Sequence, residues 1–289
     1  TLLPRPAGWR AESVPPAPLA PGVAGALTLV TDVNAALAAP ALASDGKGNL
    51  ALAWIAEDPA LPRPAAWQVR LRLFNGQDWG EVLALGGAAG PHYAPAVAFD
   101  GGGHLLVAWV QGASTASATL DAALLDGMEI ATAFVAANGG GVTLHPVTAD
   151  RRPDSNPQLA TGRDGAVWLA WQSHAEGSLA IDELHPGRLV AARWQGDGWA
   201  APQVAAARLT GGLWWDLAAL DAGRALVAAH GFGRGRVFVA GPSGAVPSGP
   251  VRTAGHHPIV VRKSARAESG PSSPPPSPFD FFPGESSPS

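Results

Sequence analysis

The side chains able to do chemistry fall into short groups placed just before apolar runs. Along the chain these are Asp32 and Asn34, then His92 and Tyr93, then Arg151, Arg152, Asp154 and Asn156, then Trp214, Trp215 and Asp216. A second series follows apolar runs: Glu57 and Asp58, His174 and Glu176, and His230 with Arg234. Aromatic rings beside Asp, Asn and Arg suit a sugar, because a ring face covers the apolar side of a pyranose while polar groups meet its hydroxyls. Carboxylate pairs drawn from Asp32, Asp154, Asp216, Glu57 and Glu176 could serve as acid and base in glycoside hydrolysis, where their separation sets the stereochemistry. Each group also has a structural reading. Arg151-Arg152-Pro153-Asp154 reads as a salt-bridged loop, and Trp214-Trp215 as core or an interface anchor. His92 and Tyr93 read as strand-capping or loop-packing groups, and Glu57-Asp58, ahead of Pro59, as a solvated turn.

Other chemistries lack their signatures. No P-loop, G-x-S-x-G elbow or dinucleotide fingerprint occurs. Gly231 to Arg236 resembles a phosphate loop, but it leads into a strand, without the helix N-terminus that would hold phosphate. No EF-hand-type loop occurs, and the adjacent His256 and His257 diverge if extended. Neither a metal nor another cofactor is expected.

The elements that must position these groups are repeated. Residues 40–54 read PALASDGKGNLALAW, 95–109 read PAVAFDGGGHLLVAW, and 157–171 read PQLATGRDGAVWLAW; a decayed copy is 215–229, WDLAALDAGRALVAA. Each copy is Pro-x-apolar-Ala, a Gly/Asp turn, then an alternating run, which predicts a β-hairpin. Asp45 and Asp100 read as turn formers whose carboxylates bond nearby backbone. A second hairpin follows each first one, turning at 75–78, at Asp126-Gly127, at 196–198 and at 242–244. Four strands per unit, repeated radially, describe propeller blades. The units run over roughly 40–85, 95–136, 157–207 and 215–252. Pro40, Pro95 and Pro157 mark where the inner strands begin.

Composition agrees with this. The 289 residues include 36 Gly, 28 Pro and no Cys, and only 15% are charged. That excludes disulfide-stapled and coiled-coil classes. A net charge of -4 leaves no basic footprint for nucleic acid. No run of eighteen apolar residues occurs, so no membrane span is expected. Thr1 to Arg10 lack an apolar leader core, and a removed leader is the expected explanation. From Ser264 onward the text is Pro- and Ser-rich, which predicts an extended, disordered tail. Within it Phe279, Phe281 and Phe282 form an aromatic cluster suited to gripping a protein partner.

The Pro-x-apolar-Ala…Ala-Trp hairpin followed by Gly-x-x-Trp resembles bacterial sialidase-like (BNR-type) propeller repeats over roughly residues 35–252. The family's Asp-box, Ser-x-Asp-x-Gly-x-Thr-Trp, is not reproduced. Ser44-Asp45-Gly46-Lys47-Gly48 is similar, but sits in the first hairpin and lacks the Thr-Trp ending. The resemblance would imply a tyrosine nucleophile, a glutamate partner and an arginine triad. The chain has one tyrosine, Tyr93. No motif places the arginines, so no catalytic residue is carried over.

The expected architecture is all-β: a β-propeller of four-stranded antiparallel blades, four or five in number, over 40–254. Residues 1–39 precede it with a possible ring-closing strand at Gly8 to Glu12, and an extended tail follows over 255–289. The expected role is an exported, periplasmic or cell-surface, non-enzymatic module, a protein-interaction or structural accessory subunit. The alternatives are a carbohydrate-binding propeller and a divergent sialidase-like glycoside hydrolase.

Overall fold

The computed structural model describes residues 39–251 apart from 64, 87–89, 114–124, 126, 138, 211–213, 232–233 and 241–245. Among the described residues, sixteen strands form four sheets, each an antiparallel meander of four consecutive strands. The first blade holds β1 (Ala41–Ser44), β2 (Leu50–Glu57), β3 (Trp67–Phe74) and β4 (Leu83–Ala84). The second holds β5 (His92–Phe99), β6 (Leu105–Gln111), β7 (Glu129–Val135) and β8 (Val142–Pro146). The third holds β9 (Asp154–Thr161), β10 (Val167–Ser173), β11 (Gly187–Arg193) and β12 (Gln203–Leu209). The fourth holds β13 (Trp214–Asp221), β14 (Arg224–Gly231), β15 (Arg234–Ala240) and β16 (Val246–Val251). The inner strands β1, β5, β9 and β13 stand side by side in that order. Sheets repeated radially in this way make a β-propeller fold. The fourth blade takes all four strands from residues 214–251; the ring-closing strand and the aromatic tail expected from sequence lie outside the described residues.

The core lies in the seams between blades. Period-two alternation puts Ala51, Ala53, Ile55 and Leu71 against Phe99, Leu105, Val107 and Trp109. The opposite face of β6, Ala108 and Val110, meets Leu169 and Trp171 of β10. The opposite face of β10, Trp168 and Ala170, meets Trp215, Leu217 and Val227. β6 and β10 are covered on both sides, so they read as nearly continuous apolar runs. Fully burying one large apolar side chain is worth about 1.5–3 kcal/mol, against about 1 kcal/mol for a net hydrogen bond. Seams rather than turns therefore hold the arc together.

The turns set the register. Asp45 Oδ1 accepts from the N–H groups of Lys47 (2.7 Å) and Asn49 (3.1 Å), and Asp100 Oδ1 from those of Gly102 and His104 (2.8 Å each). At the lower end, away from the starts of the inner strands, the hairpin tips are laced together. Gly101 N–H donates to the Gly165 carbonyl at 3.0 Å, and Ala222 N–H to Asp164 Oδ2 at 2.6 Å.

Two expectations are corrected. The second hairpin of the second blade does not turn at Asp126-Gly127. β7 and β8 turn at 136–141, where Gly139 adopts a φ of 70°, and the blade extends to Pro146. The Gly139-Gly140-Gly141 run is the real turn, and residues around 127 end an unusually long connection from β6. Pro95 and Pro157 do not begin their strands. They lie inside β5 and β9, three residues after the first, where an irregular ladder spares them the missing N–H.

Candidate functional site

The inner strands of the second and third blades start with the same backbone. His92-Tyr93-Ala94-Pro95 matches Asp154-Ser155-Asn156-Pro157 position by position. Ala94 and Asn156 take φ values of 46° and 53°. The ladder to the neighbouring strand slips at both places. Asn tolerates this left-handed geometry, whereas Ala at φ 46° is strained. Such bulges re-aim the side chains around them, here at the upper end of the arc.

In the second blade the first position is structural. His92 is 0% exposed. Its Nδ1 accepts from Val69 N–H of the first blade at 3.0 Å, and its ring lies against Trp109 with centroids 5.5 Å apart. Gly86 has a φ of 85°, and a Cβ there would collide with the imidazole. Burial lowers the His92 pKa to about 4, with the Arg70 charge acting the same way against the Gln111 side chain. His92 is thus a neutral acceptor with no surface for a ligand, contrary to its candidate role.

In the third blade the same position carries Asp154, 1% exposed. Neither carboxyl oxygen has a hydrogen bond of good geometry. Burial raises its pKa to about 7, and Glu129 and Asp150 add to the rise. The nearby Thr148 and Ser173 hydroxyls oppose it. Each of those hydroxyls also accepts a bond: Thr148 Oγ1 from Ile130 N–H at 2.8 Å, and Ser173 Oγ from Arg152 Nε at 3.3 Å. Burial also raises Glu129, whose Oε2 is unpaired. Burial and the Arg188 charge lower Arg152. Next along β9, Ser155 Oγ lies 2.7 Å from His174 Nε2. His174 is 4% exposed, and burial followed by the Arg152 charge keeps its pKa below the usual imidazole value.

The remaining candidates divide. Tyr93 is half-buried and meets Trp67 edge-to-face at 5.7 Å. It also packs into the seam between the second and third blades with Val147 and Ile130, chain neighbours of Thr148 and Glu129. Arg151 is exposed, with Nη1 3.9 Å from Glu176. Trp215 is 7% exposed in the seam of the third and fourth blades. It is core and offers no sugar platform. Asp216 Oδ1 accepts from Leu217 N–H at 2.9 Å. Trp214 opens β13 opposite His230, and its side chain lies outside the described part. Asp32, Asn34, Phe279, Phe281 and Phe282 lie outside the described residues. Glu57 and Asp58 are ion-paired to Arg63 (2.6 Å) and Arg70 (3.0 Å) rather than merely solvated. Sequence reasoning missed Ser155, Ser173, Thr148, Glu129 and Trp67 as members of the group. Only Ser155 had a local signal, its place beside Asp154 and before an Asn-Pro pair.

A cleft of about 410 Å³ lies at the opposite end, lined by Asn49, Leu73, Phe74, Asn75, Glu81 and Phe99 among others. Its polar side chains are largely committed, Asn49 to Asp45 and Asn75 to its own turn. The upper end, with unpaired buried groups, is therefore the better candidate. Among the described residues no three His, Cys, Asp or Glu side chains converge on a metal position. No helix there is long and apolar enough to cross a membrane.

No family model matches the chain, and no curated protein matches it in sequence. Solved structures do. A Hadza microbial sialidase is 14% identical with a TM-score of 0.47, over 71% of this chain and 44% of that one. An ulvan lyase of a polysaccharide lyase family is 9% identical with a TM-score of 0.49, over 71% and 53%. A Trypanosoma rangeli sialidase is 12% identical with a TM-score of 0.47, over 75% and 38%. The fold, as its four meander sheets already show, is a β-propeller. The chain spans about half, or less, of the length of these structures.

Proposed function

We propose that this propeller is a carbohydrate-binding module, exported from the cell, which takes its ligand at the upper end of its second and third blades. One observation carries the reading: Tyr93, which meets Trp67 edge-to-face, and Ser155, beside Asp154, stand at the same position in the adjacent inner strands β5 and β9. Aromatic faces cover the apolar side of a pyranose, and the charged and hydroxyl groups serve its hydroxyls. A glycan array followed by calorimetry tests it. Trp67→Ala or Arg152→Ala should each weaken the best glycan about tenfold, near 1.4 kcal/mol. No retained glycan at millimolar concentration, or binding untouched by both changes, overturns it.

A second reading keeps the chain as an accessory subunit held to a protein partner by Phe279, Phe281 and Phe282. It rests on the aromatic cluster in a Pro- and Ser-rich tail and on the missing catalytic signature. Deleting residues 264–289 should abolish co-purification of the partner; association unchanged by the deletion removes this reading.

A further inference from the structure

We propose that Ser155 and His174 form a nucleophile–base pair with which the third blade cleaves small carboxylic esters. The proposal stands on these two residues and does not require the carbohydrate reading.

The geometry is that of an activated hydroxyl. Ser155 Oγ lies 2.7 Å from His174 Nε2, within reach for proton transfer. Both partners are held by backbone. Ser155 pairs with Gln172 across β9 and β10, and His174 N–H donates to the Pro153 carbonyl at 2.9 Å. Ser155 sits one residue before Asn156, whose φ of 53° breaks the ladder, and it stays half-exposed while His174 beneath it is buried. Ser155 is therefore the more exposed of the two. The second imidazole nitrogen, Nδ1, has no hydrogen bond of good geometry. The tautomer proposed carries the proton on Nδ1, which leaves the Nε2 lone pair for Ser155. Arg152, whose Nε donates to Ser173 Oγ at 3.3 Å next to His174 in the chain, is the cation the proposal assigns to a tetrahedral oxyanion. No carboxylate orients Nδ1, which makes this a dyad and sets a modest rate.

The step balances as follows. The Ser155 hydroxyl proton passes to His174 Nε2 as Oγ bonds the ester carbonyl carbon. The tetrahedral species collapses, the bond to the alcohol oxygen breaks, and the imidazolium proton goes to the departing alcohol. Water then attacks the acyl-serine, gives a proton to Nε2 and displaces Oγ, which recovers that proton. The products are one carboxylic acid and one alcohol.

A fluorophosphonate probe on the full chain, followed by peptide mapping, reads the nucleophile directly. Labelling is expected on Ser155, absent in Ser155→Ala and reduced at least tenfold in His174→Gln. Release of p-nitrophenol from p-nitrophenyl acetate should fall in parallel and should rise with pH through a midpoint below 6.5, the ordinary imidazole value. Circular dichroism melts of both variants establish that they fold. Labelling that is absent, falls on another residue, or persists in folded Ser155→Ala overturns the proposal. Probe labelling of Ser155 and the glycan array are independent readouts on the parent chain, so either reading can fail without the other.

Discussion

The second and third blades begin with one backbone and opposite chemistry. Both inner strands slip at the same point, both place a residue with positive φ third, and both follow it with proline. The first residue is His92 in one and Asp154 in the other, each almost fully buried. His92 has a partner, Val69 N–H, and locks two blades together. Only Nε2 of His92 lacks a partner, whereas both carboxyl oxygens of Asp154 lack a bond of good geometry and Glu129 and His174 nearby are incompletely paired. Position in a repeat therefore specifies burial but not role. The less completely paired member of an equivalent pair is where function should be sought, because buried polar groups are otherwise satisfied.

The largest expected effects come from proton linkage at these two positions. The folded pKa of Asp154, about 7, lies above its unfolded value of 3.8. Its contribution is therefore fully present below pH 3.8 and is lost as pH rises to 7, roughly 4 kcal/mol at about 1.4 kcal/mol per unit. The folded pKa of His92, about 4, lies below its unfolded value of 6.5. Its contribution is full above pH 6.5 and is lost as pH falls toward 4, roughly 3 kcal/mol. The two slopes oppose one another between pH 4 and 6.5. Asp154→Asn should raise stability at pH 8 by up to roughly 4 kcal/mol and leave a curve that rises from pH 4 to 6.5. Glu129, raised in the same direction as Asp154, remains and softens that rise. Urea melts at pH 4.5, 6 and 8 measure it; a variant no more stable than the parent at pH 8 removes the distinction between the blades.

His92→Phe comes next. It keeps a ring against Trp109 but leaves the Val69 N–H without its acceptor, costing about 1–3 kcal/mol at pH 7. The same melts read it, and they should show the His92 slope abolished. An equal or greater stability would mean that the histidine is no lock.

The lower end offers a sharper comparison within the third blade. Gly165 has a φ of 80°, and a Cβ there would collide with the Gly101 backbone of the second blade. Gly198 sits in another turn with nothing within 4 Å of its Cβ direction. Gly165→Ala should cost about 1–3 kcal/mol, while Gly198→Ala should be close to neutral in thermal denaturation. Equal effects would show that the laced hairpin tips contribute nothing.

How far these features could be read from sequence follows from the range of the interactions that make them. The blades were legible because Pro-x-apolar-Ala, the Asp/Gly turn and the run to Trp54, Trp109 or Trp171 are local signals. The turn aspartates bond their own loops, so Asp45 and Asp100 could be read in the same way. The bulges were not legible, since Pro95 and Pro157 read as strand starts and only the ladder shows three residues before each. The candidate site was half legible. Arg152 and Asp154 stand out in one loop, but Glu129 reaches them from the preceding blade and His174 from the next strand. Burial, which turned His92 and Trp215 from candidates into core, depends on neighbours tens of residues away.

The smallest expected effect contrasts the outer tryptophans. Trp79 and Trp199 occupy equivalent places, each in an isolated antiparallel bridge, to Phe74 and to Trp194. Trp199 reaches across the seam: its Nε1–H donates to Thr132 Oγ1 of the second blade at 2.9 Å, and its ring meets Trp194 at 5.2 Å. Trp79 meets Phe74 of its own blade at 5.4 Å. Thr132 Oγ1 in turn donates to the His145 carbonyl at 2.8 Å, so the indole completes a short chain tying β7, β8 and the third blade together. Trp199→Phe should cost about 1 kcal/mol, the net value of one hydrogen bond, with the ring contact largely kept. Trp79→Phe should cost less, because no seam depends on its N–H. A double-mutant cycle of Trp199→Phe with Thr132→Val should show coupling, while Trp79→Phe with Thr132→Val should be additive. Additivity in both cycles would make the outer tryptophans interchangeable and would confine the difference between the blades to their inner strands.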